Sequence, residues 1–474
     1  MNYLLRRLGQ IRSISTATRS IPVAGHSLLA SRGVLSVKGP DSTKFLNGLI
    51  TSKMLPQTTK RLAMTIEEDD SADLRLEDFD MSKNWGLLKE DPESANQTVS
   101  RAGIFTMFLN SKGRIITDAW IYPKKLILED HEVQDECEYL VEVDKSMINQ
   151  LQMALKLHKL KAKVQIKQLN DVKVWTAYND SIMDLLYCLS TEYFDPDSQE
   201  LKNPSAALYH TQNFLKNEHL WKPTAPTSQI LGFAFDERCP DFGIRLITTS
   251  ETQSLNTIIS EEYIPGPDPI PEETIAIRRT LYGIPETPSD IAPQKLLPLE
   301  CNLEYMNGVH FDKGCYIGQE LTVRTFHTGV VRKRVVPVRL FLLDDNANPL
   351  GIDDLESLPL DYLPDDPVND VIMPGTGYLE VYSAKEEKPT KEFAASPFGG
   401  GGASVSSKIS RRSTRRSSGT LLNSLGNVGL ALVRLEDFAD PNGKFYIEIP
   451  GAGKDRMNLK IGVKAFIPYW WPEE

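Results

Sequence analysis

The stretch Lys313-Gly-Cys-Tyr-Ile-Gly-Gln-Glu320 sets a single thiol among a lysine and two glycines, just before a helix-compatible run. Residues Gln319 to Arg324 suit a helix, so Cys315 is expected near unpaired backbone N–H groups whose partial positive charge favours thiolate. Lys313 adds to that field. A lone cysteine of this kind is either a reactive thiol or a small buried filler, and its exposure decides between them.

Two arginines form the next candidate. Asp236-Glu-Arg-Cys-Pro-Asp-Phe-Gly-Ile-Arg245 offers Arg238 and Arg245, whose planar forks can hold a carboxylate through two parallel bonds or close a structural salt bridge to Asp236 or Asp241. Cysteines at 137, 188, 239, 301 and 315 are far apart and form no C-x-x-C pair. That spacing argues against a zinc ribbon, a self-contained cluster site or a disulfide scaffold. His310 and His327 have no metal-ligand spacing with another candidate and read as packing or surface residues.

These groups need a scaffold, and the hydrophobic pattern outlines one. Gly33–Lys38 reads as a strand, followed by Asp41 as cap of a helix over Ser42–Ile50. Gly103–Leu109, a turn at Asn110–Gly113 and Arg114–Tyr122 spell a β-hairpin. The stretch Glu67–Glu93 is acidic, lacks a period and reads as a solvated loop. Tyr139–Val143, an Asp144-capped helix through Leu157 with Ile148, Leu151 and Leu155 aligned, and strands at Lys163–Leu169 and Lys173–Tyr178 give a β-α-β-β order compatible with a ferredoxin-like layer. Ile230–Phe235, Ile244–Ile247 and a helix Glu272–Tyr282 ended by Gly283 extend it. From about Arg334 the runs Val335–Leu342, Val428–Arg434, Phe445–Ile449 and Ile461–Pro468 suggest a small barrel. Between them, Ser383–Thr420 holds Gly399–Gly402 and Arg411-Arg-Ser-Thr-Arg-Arg-Ser-Ser418, a composition expected to stay disordered.

At 474 residues the chain is too long for one ordinary core, and 41% hydrophobic residues can fill several. The net charge of −11 gives no overall sign of a nucleic-acid partner. Residues 1–20 differ from the rest. Arg6, Arg7, Arg12 and Arg19 alternate with apolar and hydroxyl residues, and the first acidic residue is Asp41, so the segment reads as a mitochondrial presequence. No stretch approaches the roughly 20 apolar residues of a membrane span. A matrix protein without membrane or nucleic-acid partners is expected.

The thiol motif continues into Leu321-Thr-Val-Arg-Thr-Phe-His-Thr-Gly-Val-Val-Arg-Lys-Arg334 and follows Gly283-Ile-Pro-Glu286, Leu297-Pro-Leu-Glu-Cys-Asn-Leu303 and Gly308-Val-His-Phe311. Together these resemble the YgfZ family, and more narrowly its mitochondrial branch, the iron-sulfur cluster assembly factors related to the folate-dependent aminomethyltransferase GcvT. The resemblance implies an α+β, GcvT-like multidomain folate-binding fold with a ferredoxin-like middle layer and a C-terminal β-barrel. The expected divisions are 1–20 presequence, 21–132 first domain, 133–333 second domain with the thiol motif, and 334–474 barrel carrying the 383–420 insertion.

It further implies tetrahydrofolate as ligand. Leu109-Asn-Ser-Lys-Gly-Arg-Ile-Ile-Thr-Asp118 is similar to the transferase segment whose aspartate faces the folate, so Asp118 is expected at the pterin side, with Arg238 and Arg245 toward the glutamate tail; a strand-end aspartate capping a turn is the plainer role. Glu300 resembles a motif glutamate of the transferase. Lys313 and Arg324 belong to the Cys315 motif and are expected to tune the thiol. Where the transferase has an acidic residue after Lys-Gly, this chain has Cys315, which brings soft-metal and redox chemistry. The implied role is a transferase-like fold used for assembly: Cys315 supplies one ligand to a transient [2Fe-2S] cluster shared with an A-type scaffold, serving [4Fe-4S] targets such as aconitase and lipoate synthase. The alternative is a folate-dependent one-carbon transferase using Asp118.

Overall fold

The computed structural model describes residues 21–54, 86–90, 97–124, 126, 137–182, 184–194, 204–266, 268–311, 313–343, 349, 355–383, 417–438, 443–450 and 459–472. Residues 1–20, expected as a presequence, lie outside them, as does most of 67–93 and of the insertion expected over 383–420.

Branched and aromatic runs make the strands. β1 (Ala24–Leu28), β2 (Arg32–Lys38) and helix α1 (Ser42–Asn47) come first, then the short pair β3 (Leu87–Glu90) and β4 (Gln97–Ser100), and the hairpin β5 (Ile104–Leu109) and β6 (Ile115–Pro123). β7 (Glu138–Asp144), α2 (Ile148–His158), β8 (Gln165–Leu169) and β9 (Val172–Asn179) follow, then α3 (Leu185–Phe194), α4 (Pro204–Phe214), β10 (Ile230–Phe235) and β11 (Ile244–Thr249). After α5 (Glu272–Leu281) and α6 (Gln319–Thr328) come β12 (Lys333–Leu342), β13 (Leu379–Ser383), β14 (Ser417–Leu425), β15 (Val428–Arg434), β16 (Phe445–Ile449) and β17 (Leu459–Ala465).

One sheet has the order β5-β6-β7-β2-β8, a second β1-β9-β11-β10, and the last six strands close a barrel β12-β15-β14-β13-β16-β17. Neighbours in sequence therefore part company. β1 pairs with β9 whereas β2 pairs with β7 and β8, and β8 and β9 fall in different sheets. The chain crosses between the sheets twice, so a division near residue 132 does not separate them, and the last strand of the β-α-β-β unit joins the other sheet. Pairing partners that lie more than a hundred residues apart set this arrangement, and periodicity along the chain carries no information about them.

α2 buries Ile148, Leu151 and Leu155 against the first sheet, the face the spacing predicts. Asp144 accepts from Ser146 N and starts that turn. Asp41 does not cap α1; its Oδ2 accepts from Lys163 N at 2.6 Å and ties the strand end before β8 instead. Leu87–Glu90 pairs with Gln97–Ser100, so part of the acidic stretch is a strand and not a loop. Helices α3 and α4 have no counterpart in the sequence reading; Leu186, Leu189 and Phe214 from them cover the second sheet beside Trp221, Phe233 and Phe235. The insertion expected over 383–420 is shorter at both ends, because Ser383 belongs to β13 and Ser417–Thr420 to β14.

The two sheets and the barrel share one core. Val34, Trp120 and Leu140 of the first sheet meet Val174 and Ile247 of the second and Val335 and Leu430 of the barrel. α5 runs into this joint. Glu272 and Glu273 lie in its first turn and Arg278 and Arg279 in its last, matching the helix dipole. Gly283 then takes φ +72°, and a Cβ there would lie 2.9 Å from Pro337 and 3.0 Å from Pro468, so glycine lets the helix end abut the barrel. Among the described residues, no helix is long and apolar enough to cross a membrane.

Candidate functional site

The thiol motif connects the central core to α6, and its backbone is pinned on both sides. Gly318 caps α6 with φ +79°, where a Cβ would stand 2.4 Å from the Asn110 carbonyl oxygen. Gly113, in the β5–β6 turn, has φ +74° and would put a Cβ 2.9 Å from the Gly318 carbonyl oxygen. The hairpin turn and the helix start thus meet backbone to backbone, closer than any side chain allows. Tyr316 N donates to Gln319 Oε1 at 3.2 Å, Ile317 N donates to Gly48 O at 3.3 Å, and the Tyr316 ring is buried.

Lys313 supplies the other anchor. Its ammonium donates to the carbonyl oxygens of Asn47, Ile50 and Ser52 at 2.7, 2.7 and 2.9 Å, using all three of its protons on the carbonyls that follow and end α1. The side chain is buried. These bonds give Lys313 a positioning role that the sequence reading did not foresee: it holds the loop against the end of α1. Arg324 is exposed more than a turn into α6 from the end nearest Cys315.

Between these anchors the chain faces outward. Cys315 is exposed, and a Cβ on the adjoining Gly314 would meet nothing within 4 Å. The buried-filler reading of Cys315 is thereby excluded. Cys137, Cys239 and Cys301 are the fillers: all three are buried, and burial pushes each thiol up from its ordinary value. Cys188 is also exposed, on α3 over the second sheet. Among the described residues, no group of three or more His, Cys, Asp or Glu side chains is placed to hold a metal ion.

Asp118, Arg238 and Arg245 lie elsewhere, in the joint between the sheets. Asp118 is fully buried on β6; its Oδ1 accepts from Thr287 N at 2.6 Å and from the Thr287 hydroxyl, and its Oδ2 from Arg32 Nη1 at 3.1 Å. Arg32 Nε donates to Glu142 Oε1 at 2.9 Å, which also accepts from Arg245 Nη2, while Tyr122 OH donates to Glu142 Oε2 at 2.7 Å. Arg238 makes two parallel bonds to Asp236 at 2.8 and 2.7 Å and a third to Glu286 at 2.5 Å. Arg279 pairs with Asp290, whose other oxygen accepts from Asn423 of the barrel at 2.8 Å. Burial alone would push the Glu142 and Glu286 carboxyls up, but Arg245 and Arg32 around the first, and Arg238 and Arg279 around the second, hold both below the usual glutamate value.

This closed network bears on folate. Asp118, Arg238 and Arg245 are at most 2% exposed, and walls of a pterin-sized pocket would be accessible to a water-sized sphere. Both arginine forks already grip carboxylates. As arranged, these residues do not fit a bound folate, so the roles the resemblance implies for all three give way to internal ion pairing. Three buried donors in the same region have no partner: Arg32 Nη2, Trp120 Nε1 and Arg245 Nε. Glu300, the motif glutamate, accepts from Leu297 N at 2.9 Å and shapes a turn. Arg32, Glu142, Glu286 and Thr287 complete the network and are absent from the sequence candidates. Their available signal was a glutamate inside the otherwise apolar run of β7.

A family model described as CAF17, C-terminal beta-barrel domain, matches residues 332–473. The chain is 37% identical to a Debaryomyces hansenii protein named iron-sulfur cluster assembly factor IBA57 homolog, mitochondrial, over 95% of this chain and 99% of that one. Identically named proteins of Scheffersomyces stipitis and Candida albicans are 35% and 36% identical, over 96% and 93% of this chain and 99% and 97% of theirs. The solved glycine cleavage system aminomethyltransferase T from Bartonella henselae aligns over 94% of this chain and 86% of that chain, at 9% identity and a TM-score of 0.47. With more than a third of its residues shared across nearly its whole length, this chain belongs to the family of IBA57-type mitochondrial iron-sulfur cluster assembly factors.

Proposed function

We propose that this protein acts in iron-sulfur cluster assembly in the mitochondrial matrix by presenting Cys315 as one thiolate ligand to a [2Fe-2S] cluster whose remaining ligands come from an A-type scaffold. The observation that carries this is the exposed residue Cys315 on a loop anchored by Lys313, Gly318 and Ile317. A rigid loop loses little entropy when its side chain binds. Binding releases the thiol proton to solvent and gives iron a soft ligand; with one exposed thiol in the motif, the other positions have to be filled by the partner. The cluster is cargo, destined for [4Fe-4S] targets such as aconitase and lipoate synthase.

The test is to mix the protein with cluster-loaded scaffold and record visible absorption and electron paramagnetic resonance. Cys315→Ala is expected to retain no shared cluster and Cys188→Ala to behave as wild type. Equal retention in Cys315→Ala and wild type rules out the ligand role. In cells lacking the factor, aconitase activity relative to citrate synthase is expected to be restored by wild type and not by Cys315→Ala.

Tetrahydrofolate binding is a second reading, supported by the three unpartnered donors around Trp120. It requires the Arg238–Glu286 and Arg245–Glu142 pairs to part, and breaking buried pairs costs about 3–5 kcal/mol when one partner is left alone. A one-carbon transferase would also need Asp118 free to accept a proton, and both its oxygens are held. Calorimetric titration with tetrahydrofolate is expected to give no saturable heat, and a saturable one would revive the transferase alternative.

A further inference from the structure

The segments that meet at α6 carry more basic than acidic residues, the opposite balance to the chain, although Glu436 and Asp437 follow Leu435, whose N donates to the Arg332 carbonyl oxygen. The sequence carries 64 acidic against 53 basic residues. Yet the segments meeting at α6, residues 110–114, 294–300 and 313–333, present Lys112, Arg114, Lys295, Arg324, Arg332 and Lys333 against only Glu300 and Glu320 among their described residues. Lys313 is buried and adds nothing to this exposed set. All six cations are exposed or half-exposed, and Glu300 is turned inward onto Leu297 N.

These segments are continuous in space. The Gly113–Gly318 contact joins the hairpin turn to the helix, Leu321 also lies against Gly113, and Arg114 Nη1 donates to the Lys295 carbonyl oxygen. Beside α6 a cleft of about 260 Å³ opens between Leu297, Leu321, Thr325 and Val330, with Arg332, Lys333 and the single acid Glu300 on its lining. Like charges on joined segments add their potentials wherever they lie within about a Debye length, roughly 8–10 Å. The floor is mostly apolar, and cations outnumber the one acid at the edge.

We propose that this basic shoulder and its cleft are a docking surface for a protein whose contact face is acidic around a projecting apolar side chain. The inference rests on the Cys315 reading above and adds what the partner must look like. Charge complementarity is the argument: a thiolate-ligated cluster is anionic, and a partner with carboxylates around it would be steered onto this face and away from the rest of an acidic molecule. The cleft then takes the apolar side chain and sets the residence time.

The experiment immobilises the full-length protein and follows association of a [2Fe-2S]-loaded A-type scaffold by interferometry at low and high salt. Lys112→Glu with Arg114→Glu, and separately Arg332→Glu with Lys333→Glu, are expected to slow association about tenfold at low salt, the difference fading at high salt. Thr325→Trp, which fills the cleft, is expected to speed dissociation with little change in association. Charge-reversed variants that associate as fast as wild type, or a wild type that associates at neither salt, overturn the docking surface. Cluster retention by Cys315→Ala strikes the ligand role alone and leaves the association result standing. Unchanged circular dichroism in both charge pairs ties any loss to the surface and not to folding.

Discussion

At the scale of single residues, Lys313 and Cys315 divide one motif between structure and chemistry. The lysine is a compact charge with three donors, and three carbonyls at the end of α1 take them all. Lys313→Met leaves those buried oxygens unpaired and is expected to cost about 3 kcal/mol, read as a lower urea midpoint. Lys313→Arg keeps the charge and loses the compact geometry, so most of the loss is expected there too. A Lys313→Met protein as stable as wild type would remove the anchoring role. The cysteine two positions on makes no such bonds, and substituting it is expected to leave the midpoint within about 0.5 kcal/mol. One residue sets where the loop is, the other what it can do.

At the scale of elements, the hairpin β5–β6 and helix α6 act as a pair. Their joint is the Gly113–Gly318 approach, where both glycines have positive φ and each would collide with the other's backbone if given a Cβ. Gly318→Ala combines a left-handed backbone with a 2.4 Å contact, and is expected to cost about 2 kcal/mol and shift the helix start from the hairpin. Far-UV circular dichroism should stay native while cluster retention at Cys315 falls. Retention equal to wild type would mean that the loop is held by Lys313 alone. Both glycines were visible in the sequence as neighbours of a turn and of a helix start. That they touch was not, because 205 positions separate them and no local pattern spans that distance.

At the scale of the whole molecule, the ion network ties both sheets, α5 and the barrel together. Buried pairs of this kind are weak sources of net stability, but leaving one partner alone is costly, so they select one relative placement of the parts. Glu286 sits between Arg238 and Arg279. Glu286→Gln removes the balancing charge and is expected to cost about 3 kcal/mol in guanidinium unfolding. The pH dependence has a definite sign. Glu142 and Glu286 titrate below the ordinary value of 4.5 in the folded protein, so their contribution is complete above that pH and is lost as pH falls through the folded values. Stability measured from about pH 7 down to about pH 3 is expected to drop on the acid side, less steeply in Glu286→Gln. An identical acid limb in both proteins would remove Glu286 from the account.

Elements set by local pattern were legible in the residues themselves. The hairpin over 103–122, the inward face of α2, the helix after Gly318 and four of the barrel strands each follow from a period of 2 or 3.6 with a glycine or capping residue at the boundary. The cysteine motif likewise marks its thiol through flanking glycines. Which arginines and carboxylates pair, which sheet receives β1 or β9, and whether Cys315 is exposed depend on contacts between segments far apart in the chain. Asp118, Arg238 and Arg245 look identical in sequence whether they grip a ligand or one another's neighbours. Only burial, fixed by the packing of two sheets against a barrel, decides that they face inward while Cys315 faces out.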